Sequence, residues 1–178
     1  MASLPPKKMI QVNGITKLNP AYKRWKNGGK AIATPKQSTI DKIVVKMTII
    51  QGEGLVAKDR NLIGQKTTSD PYIQVWQNEQ KMIGKTDVQM KTLAPKYNDT
   101  FLLEYSPVGK NGYADIVSLK IFDYDKYSDD DHMGTVTILI PTATSTTTKW
   151  YSIPGFSAKN ATGRLEVSME TEVFRSAA

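Results

Sequence analysis

Asp123, Asp125, Asp129, Asp130 and Asp131 stand within nine consecutive positions of the chain. Like charges packed this tightly repel unless something neutralises them, so the run invites a cation. A second acidic stretch lies upstream, from Lys58-Asp59-Arg60 to Ser69-Asp70-Pro71-Tyr72. Carboxylates in flexible loops offer oxygen alone, and such a ligand set suits a hard cation that takes about six to eight oxygens, calcium before magnesium. Zinc is disfavoured because it wants nitrogen and sulfur, and the 178 residues include no Cys and a single His. That scarcity also excludes a disulfide scaffold, a cysteine nucleophile and an iron–sulfur site, and leaves little for a Ser–His–Asp triad. Asp123-x-Asp125 begins like an EF-hand loop, but Tyr127 takes the fifth position, Ser128 replaces the glycine of the sixth and Gly134 replaces the glutamate of the twelfth. Without a P-loop, a G-x-S-x-G elbow or a dinucleotide fingerprint, the chain reads as a binding protein and not an enzyme.

The elements that must position these acids are short strands. Ile43 to Ile50 is β-branched and apolar, and further runs follow at Tyr72–Trp76, Lys81–Val88, Thr100–Tyr105, Ile116–Phe122, Gly134–Ile140, Lys149–Ile153 and Arg164–Thr171. In the last of these Leu165, Val167 and Met169 alternate with Glu166, Ser168 and Glu170. Turn-forming clusters such as Gly109-Lys110-Asn111-Gly112 separate the runs, and the Thr-rich stretch from Thr142 to Thr148 reads as a loop feeding a strand. Eight strands with no convincing helix predict an all-β protein, an eight-stranded antiparallel Greek-key sandwich. Loops of a sandwich cluster at its two ends, which can bring sequence-distant carboxylates to one rim.

The net charge of +7 is unevenly placed. Residues 1–42 carry nine Lys and Arg against Asp41 alone, a net +8, and the remainder is close to neutral at −1. Turn signals at Asn13-Gly14, Asn19-Pro20 and Asn27-Gly28-Gly29 interrupt this segment. The expected organisation is therefore a basic, extended arm over 1–40, a sandwich over 41–174 and a tail at 175–178. Tyr22-Lys23-Arg24-Trp25-Lys26 mixes aromatics with cations and suits either a lipid interface or an acidic protein surface. Nucleic acid is disfavoured as a partner, since no folded nucleic-acid module accompanies the basic arm. No apolar run approaches the length of a membrane span and the first residues lack an apolar signal core, so a cytoplasmic protein that associates peripherally with membranes is expected.

At the acidic loops the sequence resembles the C2 domain family. The matching pieces are Ser69-Asp70-Pro71-Tyr72, Lys85-Thr86, Leu93-Ala94-Pro95-Lys96-Tyr97-Asn98-Asp99-Thr100-Phe101, Phe122-Asp123-Tyr124-Asp125 and Asp131-His132-Met133-Gly134, and the likeness runs from about Ile43 to Glu172. The order of the strands, with one before the first acidic loop and a final one at Gly163–Met169, resembles the circularly permuted type II topology.

The resemblance implies calcium ligands at Asp59, Asp70, Asp123, Asp125 and Asp131, with Ser128 as a supplementary oxygen. It implies calcium-dependent attachment to anionic phospholipid membranes, with Leu62, Ile63 and Tyr127 at the loop tips as membrane contacts. Tyr72 and Lys85 fit a headgroup site on the strands, although Ile83 falls where a second lysine would stand and Phe122 where the family often has Trp. Asp129 and Asp130 are additional acids that either join a cation site or face water, and the interval from Asp59 to Asp70 is longer than the family's usual loop. The alternative use is a structural or adaptor domain in a larger assembly, with residues 1–40 engaging an acidic protein partner and calcium secondary.

Overall fold

The computed structural model describes residues 9–12, 15–18, 39–60, 64, 66–106, 108, 114–154 and 163–176. The chain divides into two compact units, residues 1–37 with 178, and residues 38–177. In the first, β1 (Met9–Val12) and β2 (Ile15–Leu18) pair antiparallel, with Met9 opposite Leu18 and Val12 opposite Ile15. The arm is therefore a hairpin at this point and not extended throughout, and Asn13-Gly14, a strong two-residue hairpin signal, falls between its strands.

The second unit begins with β3 (Ile40–Glu53), the short pair β4 (Asp59–Arg60) and β5 (Lys66–Thr68), and then β6 (Pro71–Gln77) and β7 (Lys81–Lys85). It continues through β8 (Lys96–Tyr105), β9 (Ile116–Asp123), β10 (Asp131–Leu139), β11 (Ser145–Ser152) and β12 (Arg164–Arg175). Two four-stranded antiparallel sheets form the sandwich, in the orders β10-β9-β6-β7 and β11-β12-β3-β8, and β4 and β5 pair by themselves. The final strand lies between β11 and β3, as the permuted order requires.

Period-2 alternation explains which faces meet. From β3, Ile43, Val45, Met47 and Ile49 point inward, and from β12 so do Leu165, Val167 and Met169; opposite them lie Ile73, Val75, Val117, Leu119 and Ile121. Each of these side chains, almost fully removed from water, contributes roughly 1.5–3 kcal/mol. Two buried phenols cross the core to backbone carbonyls: Tyr105 donates to Ile116 O at 2.9 Å and Tyr97 to Pro71 O at 3.1 Å. Burial pushes both phenols well above the ordinary tyrosine range, with the charges of Asp115 and Asp99 adding to the effect.

The Thr-rich stretch departs from the sequence expectation, because Ser145–Thr148 belongs to β11. Threonine is β-branched and favours the pleated surface, and here its hydroxyls find partners on the outer face. Thr148, Ser168, Thr48 and Thr100 stand side by side across four strands, with Thr148 bonded to Ser168 at 3.0 Å and Thr48 to Thr100 at 2.9 Å. At the entry to β12, Gly163 adopts φ +97°, and a Cβ there would fall 2.6 Å from the Glu53 carbonyl oxygen, so only glycine fits.

Candidate metal centre

The rim is assembled where β6 begins and β9 ends. The register sets Asp123 opposite Pro71 of β6 and opposite Asp131 of β10, so the chain following Ser69-Asp70 meets the chain leaving and re-entering at 123 and 131. Asp70 makes three bonds there. Its N–H donates to Asp123 Oδ1 at 2.5 Å, its carbonyl accepts from Tyr124 N–H at 3.0 Å, and its carboxylate Oδ1 accepts from Lys91 N–H at 2.5 Å. The segment between β7 and β8 is drawn in further by Thr92 N–H to Ser69 O at 2.8 Å and Gln89 N–H to Pro71 O at 3.0 Å.

Ser69, fully buried, fixes the first acidic loop: its hydroxyl donates to Val56 O and accepts from Lys58 N–H, each at 2.9 Å. The next residue, Asp59, pairs with Thr68, whose hydroxyl donates to Asp59 Oδ2 at 3.3 Å. In the third rim loop, the acidic segment between β9 and β10, the Asp130 carboxylate accepts from both Tyr72 OH at 2.6 Å and Asp125 N–H at 3.0 Å. Asp130, left open by the sequence as either ligand or solvated acid, is thus the internal brace of its loop. Tyr72 and Ser69 share this framing role, and only their place in Ser69-Asp70-Pro71-Tyr72 hinted at it.

The electrostatics centre on Asp123, which is 1% exposed. Burial pushes its carboxyl above the usual carboxylate range; the Asp70 N–H and the Ser69 hydroxyl pull it back, and the charges of Asp59 and Asp125 push it up. Asp123 therefore feels both its near neighbour Asp125 and Asp59, which lies 64 residues earlier in the other acidic loop. A divalent cation would relieve this situation, and every donor offered is oxygen, so the residues fit calcium in kind. Among the described residues no three carboxylates are gathered tightly enough to make a finished ligand cage. Several of their oxygens have internal partners: Lys91 N–H on Asp70, Thr68 on Asp59, and the Lys58 amine 3.7 Å from Asp131 Oδ2.

The other expected contacts are spread around this rim. Ser128 is exposed in the third loop, and Tyr127 beside it is 91% exposed with the Lys126 amine 5.3 Å from its ring centre. Leu62 and Ile63 lie outside the described residues. Lys85 is exposed and sits 5.3 Å over the Tyr72 ring, which itself stacks on Phe122 at 5.6 Å. Tyr72 is only 4% exposed and its hydroxyl is engaged by Asp130, so Lys85 is the accessible member of that pair.

The family model described as C2 domain matches residues 44–153. Synaptotagmin 1 of Drosophila melanogaster is 36% identical over 97 residues, covering 52% of this chain and 18% of that protein. Tricalbin-1 of Saccharomyces cerevisiae is 37% identical over 87 residues, 48% of this chain and 7% of that protein. Among solved structures, the calcium-bound C2A and C2B domains of extended-synaptotagmin 2 superpose with a TM-score of 0.60 at 21% identity, covering 75% of this chain and 46% of that one. The chain thus spans a small part of the curated relatives it matches. No helix among the described residues is long and apolar enough to cross a membrane.

Proposed function

We infer the function from the family to which the chain belongs, the C2 domain family. Asp59, Asp70, Asp123, Asp125 and Asp131, with Ser128 as a supplementary oxygen, hold calcium at the rim, and the loaded rim docks on anionic phospholipid. Bound calcium supplies positive charge and free coordination positions that phosphate oxygens can take. The chain's own residues do the rest. Asp70 aligns Asp123 through its N–H, Asp130 holds the third loop against Tyr72, and exposed Tyr127 presents an aromatic ring suited to the lipid interface.

The observation that carries this reading is the buried Asp123 carboxylate, raised by burial and by the charges of Asp59 and Asp125 on a rim that offers only oxygen. Without a cation the rim's carboxylates repel an anionic surface; with one, the sign of the local field reverses. The calcium-bound state of the extended-synaptotagmin 2 neighbour supports the same reading. The basic arm over residues 1–40 strengthens attachment, each Lys or Arg near an anionic surface adding about 1 kcal/mol.

The test is sedimentation with phosphatidylserine vesicles in calcium and in chelator, for the wild type and for Asp123→Asn. The wild type sediments to a greater extent with calcium than in chelator, and Asp123→Asn, which keeps an acceptor for the Asp70 N–H, loses that difference. Sedimentation that chelator leaves unchanged overturns the reading in favour of an adaptor role.

A further inference from the structure

Lys58 immediately precedes Asp59 in the first acidic loop, and its amine lies 3.7 Å from Oδ2 of Asp131 in the other acidic loop. Its backbone is fixed at this place: the N–H donates to Thr68 O at 2.9 Å and to Ser69 Oγ at 2.9 Å, and Ser69 is itself fully buried. The side chain is 23% exposed, the least exposed lysine among the ion pairs of the described residues. A cation placed beside a carboxylate rim does part of what a bound metal does, and it repels a second cation that enters the same field.

We propose that Lys58 is a tethered counter-cation that bridges the two acidic loops in the calcium-free state and competes with calcium for Asp131, so that it sets the calcium affinity of the rim. The proposal rests on the calcium reading above. Entry of calcium at Asp131 transfers that carboxylate from the lysine to the metal, and the amine is displaced toward solvent, which its long flexible stem permits. The rim thereby trades one positive charge for two, and it responds only when calcium is concentrated enough to displace the lysine.

The experiment compares wild type, Lys58→Met and Lys58→Arg as full chains, by calorimetric titration with calcium at low and at about physiological ionic strength, and by thermal unfolding in chelator. Lys58→Met keeps the stem without the charge and binds calcium roughly two- to tenfold more tightly at low salt, the size of effect one partly exposed charge exerts. Salt narrows the gap. Lys58→Arg follows the wild type. In chelator at low salt, Lys58→Met unfolds at a lower temperature than the wild type, and saturating calcium closes that difference. A folded Lys58→Met with unchanged or weaker calcium affinity overturns the proposal, as does an unchanged melting temperature in chelator at low salt. Should the wild type bind no calcium while Lys58→Met does, the lysine holds the site outright and the proposal stands in stronger form. If neither binds but the chelator melting difference remains, the calcium reading fails, and with it the competition, while the bridge alone survives.

Discussion

The N–H of Asp70 donates to Oδ1 of Asp123 at 2.5 Å, joining the first acidic loop to the end of β9. Because the Asp70 carbonyl and carboxylate also bond Tyr124 and Lys91, one residue ties together the three segments that make the rim. A side chain that serves both as a candidate ligand and as a clasp couples the state of the site to the position of the loop between β7 and β8.

Tyr72→Phe removes the donor to Asp130 Oδ2 and leaves a half-buried carboxylate short of a partner. The expected cost is about 1–3 kcal/mol in urea unfolding, since the lost bond is to a charged group. Hydrogen exchange at the Asp125 amide, which depends on the same carboxylate, quickens in the variant. An unchanged Asp125 amide would show that Asp130 needs no help from Tyr72.

Tyr127→Ala removes a ring that is 91% exposed and so leaves stability within about 0.5 kcal/mol. Partitioning to calcium-loaded phosphatidylserine vesicles falls roughly three- to tenfold, the scale of one interfacial aromatic. Equal partitioning of both proteins would take Tyr127 off the contact surface.

Gly163→Ala combines a left-handed backbone, φ +97°, with a Cβ 2.6 Å from the Glu53 carbonyl and 2.7 Å from that of Gly54. The strain and the backbone shift it forces cost at least about 2 kcal/mol, read as a lower urea midpoint. Gly64, at φ +81° with open space around it, costs less when replaced by alanine because the backbone term acts alone.

Tyr97 and Tyr105 make folding sensitive to alkali. Their phenols are raised by burial, so below pH 10 they are neutral in both folded and unfolded chains and stability is unaffected. As pH rises through 10 the unfolded chain ionises first, and stability falls continuously until the folded phenols follow. Absorbance titration shows these two tyrosines ionising together with loss of near-ultraviolet circular dichroism.

Much of the fold is legible because alternation is a local signal: Leu165, Val167 and Met169 read as inward-facing before any partner is known, and they are buried. Thr146 and Thr148 hide their strand, since a polar β-branched residue fits a loop or an outer face equally well until β12 supplies the register. The aspartates are legible as a set by their type and spacing. Their bonds are not, because the N–H of Lys91 on Asp70 and the hydroxyl of Tyr72 on Asp130 join positions 21 and 58 residues apart, brought together by the loop from β7 to β8 and by the pairing of β6 and β10 with β9.

The place of β12 has a consequence for how the protein is made. It pairs with β3 over twelve registered positions and with β11 over eight, so a middle strand of one sheet is the last of this unit's strands to be synthesised. While a ribosome is still translating residues before 164, β3 has β8 on one side and an open edge on the other. The sheet closes only once synthesis has passed Arg175, which makes folding of this unit a late event, governed by contacts between distant parts of the chain, and leaves the nascent β3 edge in need of protection until then.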